Sequence, residues 1–418
     1  MSSEKTSKPG PSSPRTAQAR STSRRGSGRK QREQSALFRD LPGAARSIKV
    51  EQPERLTLTF EISRACNLNC RFCYNPWKIA GGRGRKTGAA GAGEEAEVPT
   101  DRALKILEKA VDESGAGEVT LSGGEPLLRQ DLAEIIRFLK KKKVRVAVVT
   151  NGTLLTKEVA DKCISEGVDL FQVSLLSDRQ DIHNELAGRE SFHKVIEGII
   201  NVRNLNGTVC TFFAATSRNV ATFRGALELN VLLGVRNVAL GRFVPGGRGM
   251  SGWRQLMPEP EGLQGALESA SNLSKHYAIA VSVSTPILPC LVDLSRYDAI
   301  VPGFCTVGRK TTLFTIDPAG DVKVCSHSPH SLGNVLEKPF GEIARNAFIT
   351  EFVETMPEYC LDCEAVSVCR GGCRSSAHLV YGSFEAEDPY LATWKAHANK
   401  HSPSIRKLMV RASKEGSR

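Results

Sequence analysis

The sequence lacks the segments that would direct a protein into a membrane or out of the cell. It has no apolar run of membrane-spanning length, and its first residues lack the apolar core of a secretory signal peptide. We therefore expect a cytoplasmic protein without a membrane partner. Its 12 cysteines then do not indicate a disulfide framework, because clustered cysteines in a reducing compartment typically bind metals.

Aromatic residues are also scarce, at 6% of the chain, and none precedes Phe38. Residues 1–50 are rich in Ser, Gly, Pro and Arg, which predicts a disordered basic tail. A nucleic-acid-binding arm would interleave aromatic side chains with basic ones, and Pro9, Pro11 and Pro14 would interrupt the helix of an organelle transit peptide. We interpret the segment as a solvated tail, and nucleic acid is not an expected partner.

The net charge of +12 lies at the two ends of the chain. Residues 1–50 carry +9 and a second basic tail, residues 395–418, carries +6, which leaves −3 for residues 51–394. The body of the protein is therefore slightly acidic. At 418 residues the chain is long enough for one large domain and a smaller one.

Three cysteines stand close together at Cys66, Cys70 and Cys73, with the spacing C-x3-C-x2-C. They follow an alternating run, Leu56 to Ile62, that predicts a strand, so they lie in the loop that leaves it. Three thiolates this close together can hold one face of an iron–sulfur cube and leave one iron open to a small molecule. A structural zinc site is the alternative, but it needs four ligands, and no fourth Cys or His lies close by.

Residues 51–285 alternate between strand and helix patterns. Further strands are predicted at 118–121, 144–149, 169–174, 209–214 and 237–243, with helices from about 100 and near 131–141, 157–166, 192–205 and 222–233. The short connections favour a parallel sheet with helices outside, and six units are too few for a closed eight-fold barrel. We predict an α/β fold with an open, partial (β/α)6 parallel barrel, interrupted by a flexible insertion at residues 80–95.

Polar motifs end three of these strands, on the side where parallel barrels gather their chemistry. After the second strand, Gly123 and Gly124 allow close backbone approach to a ligand, and the Glu125 carboxylate can hold an ammonium group. Asn151 ends the third strand and Ser174 the fourth. The alternative for the first two motifs is a turn without function. Valine at position 124 is expected to block ligand binding and leave the cysteine loop undisturbed.

A second group of cysteines lies beyond residue 285. A predicted hairpin, residues 311–316 and 322–324, delivers one of them. So many thiols are a liability unless they bind metal, either zinc or iron–sulfur, which spacing alone does not separate. Cys163 and Cys210 instead follow core patterns of a helix and a strand. The group consists of Cys290, Cys305, Cys325, Cys360, Cys363, Cys369 and Cys373.

The first cysteine loop, with Phe72 before its third cysteine, resembles the cluster motif of the radical SAM enzymes, and the Gly-Gly-Glu-Pro turn looks like their GGEP element. The resemblance implies a [4Fe–4S] cluster on the loop, whose open iron binds S-adenosylmethionine. Electrons from a low-potential donor such as flavodoxin or ferredoxin would cleave the cofactor and yield a deoxyadenosyl radical. Its implied contacts are Gly123, Gly124, Glu125, Asn151 and Ser174. The family's usual arginine after His183 is displaced, here to Arg189.

The second cysteine group resembles the SPASM domain, which holds two auxiliary [4Fe–4S] clusters. We therefore predict a small cysteine-rich α+β domain at residues 286–394. By motif position, one cluster would take Cys290, Cys305, Cys325 and Cys373, and the other Cys360, Cys363 and Cys369. Leu391 stands where the family has the fourth cysteine of the second cluster. Asp388 is the nearest oxygen ligand; otherwise one iron stays open or the cluster is lost.

The resemblance implies an enzyme that abstracts hydrogen from an unactivated C–H bond, with a precursor peptide or protein as the first-ranked substrate. No leader-peptide-binding domain is recognisable before residue 50, so a peptide would bind between barrel and SPASM domain or through a separate partner. The alternative substrate is a tetrapyrrole, because haem-pathway relatives share GGEP, Pro-x-Gly-Arg-Gly and Cys-Arg-Gly-Gly-Cys. An iron–sulfur electron carrier is the non-enzyme alternative, but it would have no use for the GGEP element.

Overall fold

The computed structural model describes residues 48–75, 97–399 and 401. The predicted insertion and most of the two predicted basic tails lie outside the described residues. The described chain combines parallel strands with helices, which confirms the predicted α/β class. No helix within these ranges is both long and apolar enough to cross a membrane.

One sheet runs through the described part of the chain. Its strands are β1 (Arg55–Ser63), β2 (Glu118–Gly123), β3 (Arg145–Thr150), β4 (Leu170–Ser174), β5 (Val209–Ala215), β6 (Asn237–Arg242), β7 (Ala280–Val283), β8 (Ile300–Val301), β9 (Thr311–Ile316), β10 (Asp321–Lys323) and β11 (Gly333–Asn334). Their order is β11-β10-β9-β1-β2-β3-β4-β5-β6-β7-β8. All pairs from β9 through β1 to β8 are parallel, whereas β10 is antiparallel to β9 and β11.

Helices follow most of the parallel strands. They are α1 (Thr100–Ser114), α2 (Leu132–Lys141), α3 (Lys157–Ser165), α4 (Gln180–Ala187), α5 (Phe192–Asn204), α6 (Phe223–Leu232), α7 (Trp253–Leu256), α8 (Pro260–Tyr277), α9 (Phe340–Ile343), α10 (Ala347–Glu354), α11 (Val366–Cys369), α12 (Arg374–Tyr381) and α13 (Pro389–Trp394). In α1 the side chains of Ala103, Ile106, Leu107 and Ala110 form one buried stripe at helical spacing, which packs the helix against the sheet.

The predicted strands and helices of the barrel coincide to within about two residues with β1 to β6 and with α1, α2, α3, α5 and α6. The parallel sheet is thus confirmed, but it continues beyond six strands. The short strands β7 and β8 were not predicted, and neither were α4 and α8. Within the described residues, β8 and β11 form the edges of the sheet.

The predicted hairpin of the cysteine-rich region is present as β9 and β10, and it joins the barrel sheet. β9 runs parallel to β1, with Phe314 opposite Leu58 and Ile316 opposite Phe60. These four side chains are all at most 2% exposed, so their burial holds the two strands together. The division between domains at residues 285 and 286 stays a prediction, since the sheet itself runs through it.

A second apolar core lies around β5 to β7, α6 and α8. It extends to the last helix, where Tyr390 and Leu391 are fully buried, and it includes Cys360 and Cys369. Part of the second cysteine group is therefore set in apolar surroundings.

Candidate active site and metal centres

The first cysteine loop leaves the C-terminal end of β1, and its three cysteines are half-buried. The end of α4 holds this loop from one side, where the amide of Asn69 donates to the carbonyl of Ala187 at 3.0 Å. Gly188 follows with φ +69°, and a Cβ there would lie 2.4 Å from the carbonyl oxygen of Asn69. Glycine is required because a side chain would push the loop away from the helix. The cysteines are Cys66, Cys70 and Cys73.

A glycine-rich turn after β6 holds the same loop from the other side. The amide of Gly249 donates to the carbonyl of Cys73 at 3.1 Å, and the Arg248 guanidinium donates to that of Cys70 at 3.3 Å. A Cβ at Gly247 would lie 2.3 Å from the carbonyl oxygen of Asn75. Tertiary contacts on both sides therefore position the loop, in addition to its own sequence.

The two glycines of the GGEP turn pack directly against the chain that leads into the cysteine loop. The amide of Gly124 donates to the carbonyl of Ser63 at 2.6 Å, and that of Glu125 donates to Ala65 at 2.8 Å. A Cβ on Gly124 would lie 2.0 Å from the Ala65 carbonyl oxygen, and Gly123 has φ +123°. These glycines are needed for close backbone approach to the loop itself. Their contact with S-adenosylmethionine stays a prediction.

Glu125 is fully buried and links the ends of β2 and β3. One carboxylate oxygen accepts hydrogen bonds from the Thr150 hydroxyl at 2.7 Å and the Leu127 amide at 3.1 Å. The other accepts from the Asn151 amide at 2.8 Å. The carboxylate thus positions the Asn151 turn, and the predicted bond to an ammonium group would be additional to these three.

Asn151 joins the end of β3 to the cysteine loop. Its side-chain amide donates to the Asn67 side-chain oxygen at 2.8 Å, and Asn67 donates in turn to the Thr153 hydroxyl at 2.9 Å. Ser174 lies half-buried at the end of β4, on the same edge of the sheet. The structure therefore brings Gly124 and Asn151 to the loop and places Ser174 at the same edge.

Two residues near the displaced arginine motif have different surroundings. His183 is buried and accepts a hydrogen bond from the Leu176 amide at 3.3 Å, and burial lowers its pKa to about 4. The histidine is therefore neutral at physiological pH and serves packing. Arg189 lies just after α4 and is exposed.

A buried carboxylate that belongs to none of the sequence motifs lies on the face of β1 opposite Phe60 and Ile62. Glu61 is 1% exposed, and neither of its oxygens has a hydrogen-bond partner among the described residues. The ammonium group of Lys323 is 3.8 Å from one oxygen and 3.5 Å from Asp317. Burial raises the pKa of Glu61 to about 7, against the opposing effect of Lys323. Alternation along β1 could have indicated that this side chain points inward, because Phe60 and Ile62 face the helices.

We expect Glu61→Gln to stabilise the protein at alkaline pH. The folded state favours protonated Glu61, so its contribution to stability is lost as the pH rises from 4.5 through about 7. Gln should raise the free energy of unfolding by about 2 kcal/mol at pH 8, with some of the gain offset by the loss of a partner for Lys323, and change it little at pH 5. Urea unfolding at both pH values measures this, with the exposed Glu134→Gln as control. Equal differences at pH 5 and pH 8 would contradict the assignment.

Tyr74, directly after the third cysteine of the loop, connects it to the second cysteine group. Its ring centroid is 4.7 Å from that of His327, two residues beyond Cys325. Its hydroxyl interacts with Ser326 and with Ser122 on β2. The sequence analysis did not predict a role for Tyr74, because its partner His327 lies far along the chain.

Four cysteines of the second group line one small cavity. Leu288, Pro289 and Leu391 supply apolar walls. The cysteines are Cys290, Cys360, Cys363 and Cys369. Burial raises the pKa of the Cys290 thiol, and negative charge on the other three raises it further, so the four thiols share one site.

The other three cysteines of the group form a separate set. Burial raises the pKa of Cys373, and the charges of Asp388 and Cys325 raise it further. Burial likewise raises the pKa of Cys325, and the charge of Cys305 raises it further. The sulfur of Cys325 is 3.2 Å from the Ser375 hydroxyl oxygen. Cys290, which motif position assigned to this set, lies instead at the cavity with Cys360.

Asp388 is not available as the oxygen ligand that the sequence suggested. It is fully buried, and one of its oxygens accepts from the Arg242 guanidinium at 2.8 Å and from the Cys373 amide at 2.7 Å. Its other oxygen accepts from the amide of Tyr390 at 2.7 Å and caps α13. The carboxylate therefore supports a cysteine through its backbone.

The donor set of the cavity fits an iron–sulfur cluster. Burial raises the pKa of Cys360 to about 11 and that of Cys369 to about 12, so both are protonated at neutral pH unless metal binding offsets the cost of the thiolate. In the described ranges no three Cys, His, Asp or Glu side chains are grouped to hold a single metal ion, as zinc would require. Cys163 and Cys210 lie in helix α3 and strand β5, away from these sets.

Sequence profiles identify two domains in the chain. The radical SAM superfamily matches residues 60–219, and the SPASM iron–sulfur cluster-binding domain matches residues 305–364. The AdoMet-dependent heme synthase of Methanosarcina barkeri is 29% identical over 348 residues, or 80% of this chain and 95% of that protein. A PqqA peptide cyclase of Methylocella silvestris is 27% identical over 84% of this chain and 93% of its own length.

Solved structures share the fold at low sequence identity. Streptococcus suis SuiB bound to precursor peptide SuiA is 16% identical, with a TM-score of 0.61 over 86% of this chain and 79% of that one. The anSMEcpe structure with bound AdoMet and Cp18Cys peptide has a TM-score of 0.63 at 16% identity, over 87% of this chain and 99% of that one. The matched domains imply [4Fe–4S] clusters and S-adenosylmethionine as cofactors. The chain therefore contains a radical SAM domain over residues 60–219 and a SPASM iron–sulfur cluster-binding domain over residues 305–364.

Proposed function

We propose that this radical SAM enzyme modifies a precursor peptide or protein. The observation that carries the proposal is the alignment with PqqA peptide cyclases across both domains, over 84% of the chain in one case and 79% in another. The sheet has two edge strands among the described residues, β8 and β11, and an extended peptide can bind by pairing with such an edge.

The residues at the strand ends hold the cofactors in this proposal. A [4Fe–4S] cluster with S-adenosylmethionine supplies a deoxyadenosyl radical that abstracts hydrogen from the substrate. Cys66, Cys70 and Cys73 would hold that cluster. Gly124 keeps the loop against β2, and Glu125 fixes the turn at Asn151, so three strand ends are held in one arrangement. Such preorganisation is what the protein contributes when cofactors carry the difficult step.

The electron source is also part of the proposal. A low-potential donor such as flavodoxin or ferredoxin would supply the electron that starts the reaction. Tyr74 and His327 lie between the first cysteine loop and the Cys325 set, which gives a short contact between the two regions. The auxiliary clusters are proposed to take up or relay the electron when the product is oxidised.

A tetrapyrrole substrate is the second candidate, favoured by the 29% identity to a heme synthase. The shared Cys-Arg-Gly-Gly-Cys motif does not strengthen it. Arg370 is buried and donates to the carbonyl of Val307 at 2.7 Å. The next arginine, Arg374, is also buried and donates to the carbonyls of Phe384 at 2.7 Å and Ala386 at 2.8 Å. These guanidinium groups support the backbone, so the motif is explained by folding and does not indicate a carboxylate-bearing ligand.

The two candidates are separated by asking which substrate couples to cofactor cleavage. Reconstituted enzyme is incubated with S-adenosylmethionine and dithionite, and with either a short peptide encoded beside its gene or an iron porphyrin carrying propionate groups. The peptide should increase the amount of deoxyadenosine formed, and the mass of the peptide should itself change. Stimulation and conversion of the porphyrin alone would overturn the peptide proposal.

A further inference from the structure

We propose that Cys290 completes a four-thiolate site with Cys360, Cys363 and Cys369. The auxiliary site that has only three cysteine ligands is then the one formed by Cys305, Cys325 and Cys373. This assignment differs from the one implied by motif position. It rests on the iron–sulfur content of the two matched domains and is independent of the substrate.

The cavity supports the four-thiolate site directly, because all four cysteines line it. Three of them arrive on consecutive turns, in which the amide of Cys363 donates to the carbonyl of Cys360 at 3.1 Å and that of Cys369 to Ala365 at 2.8 Å. Cys290 comes from the opposite segment after β7, and its carbonyl accepts from Asn399 at 2.7 Å. Four thiolates from two segments are the usual complement of a [4Fe–4S] cluster.

Leu391 explains why a cysteine is needed from that segment. It lies on α13, is fully buried and lines the same cavity. A leucine at this position supplies no ligand to a cluster. The thiol of Cys290 lines the same cavity and can take the place of the missing cysteine. The site therefore keeps four cysteines although the wall formed by α13 has none.

The remaining set then has three cysteines. No further cysteine is left for it, since Cys163 and Cys210 belong to core elements and Asp388 is held by Arg242 and backbone amides. This set is joined to the first cysteine loop by the contact between the tilted rings of Tyr74 and His327, whose centroids are 4.7 Å apart. The set with three cysteines is thus in contact, through His327 and Tyr74, with the first cysteine loop.

Iron counts in double variants test this grouping. In a chain carrying Cys66→Ala, Cys70→Ala and Cys73→Ala, two auxiliary clusters should give about eight irons after anaerobic reconstitution. When Cys290→Ala and Cys360→Ala are added together to this chain, they should remove one and the same cluster, so that about four irons per chain remain. Adding Cys290→Ala with Cys325→Ala should affect both clusters. Loss of both clusters from the Cys290→Ala, Cys360→Ala pair, together with loss of only one from the Cys290→Ala, Cys325→Ala pair, would overturn the proposal.

Spectra and a rescue variant cover the case in which three thiolates retain a cluster. Cys290→Ala should change the same reduced EPR signal that Cys360→Ala changes, and leave the signal that depends on Cys325. Adding Leu391→Cys to Cys290→Ala should restore the original iron content and signal, because both side chains line one cavity. Leu391→Cys should not rescue Cys325→Ala. The assignment would be refuted if Cys290→Ala changed the EPR signal that depends on Cys325. It would also be refuted if Cys290→Ala changed neither signal.

Discussion

Replacing Cys66, Cys70 and Cys73 together with Ala should reduce the conversion of S-adenosylmethionine to deoxyadenosine below detection. No other cysteine lies in the described part of the loop that leaves β1, so the variant has no thiolate there to hold a cluster. The auxiliary sites are built from cysteines on other segments, with their own hydrogen bonds and apolar walls. Their clusters should therefore stay bound.

Iron and deoxyadenosine are measured on the same preparations. Reconstituted wild type should hold about twelve irons per chain and the triple variant about eight. The control is Cys163→Ala, which removes a buried thiol on α3 outside all three cysteine sets and should retain both iron and cleavage. Deoxyadenosine formation by the triple variant under dithionite would show that the catalytic cysteines are misassigned.

Gly124→Val should lose both the first cluster and binding of S-adenosylmethionine. The sequence alone leads to a narrower expectation, in which only the cofactor is affected. A Cβ at this position would lie 2.0 Å from the carbonyl oxygen of Ala65, the residue before Cys66. Backbone atoms cannot yield as a flexible side chain can, so the loop must move, at a cost on the order of 3 kcal/mol or more.

The control for this substitution is Gly117→Val, just before β2, where an added Cβ meets no atom within 4 Å. It should bind cluster and cofactor as wild type does. Iron content and calorimetric titration with S-adenosylmethionine report on the two variants. A Gly124→Val chain with full iron and unchanged affinity would mean that the GGEP turn neither supports the loop nor contacts the cofactor.

Local patterns in the sequence were sufficient for most of the barrel. The strands β1 to β6 and the helices between them follow apolar periodicity, which depends on neighbouring residues alone. The pairing of β9 with β1 was not predictable, because a strand's pattern does not identify a partner far along the chain. The two-residue strand β8 is too short to carry a period at all.

The candidate site divides in the same way. The cysteines and the GGEP turn were recognised from spacing, but the contacts that give them their roles cross the fold. Gly124 supports the backbone before Cys66, which only the parallel pairing of β1 and β2 reveals. Cys290, in the segment that follows β7, lines the same cavity as Cys360, whereas motif position placed it with Cys305.

The formation of deoxyadenosine by the wild-type protein tests the central claim most directly. Anaerobically reconstituted enzyme is mixed with S-adenosylmethionine and dithionite, without any substrate, and the products are separated by liquid chromatography and mass spectrometry. Radical SAM chemistry predicts deoxyadenosine and methionine in equal amounts, both absent when dithionite is omitted. Intact S-adenosylmethionine after incubation with fully loaded enzyme would contradict the account.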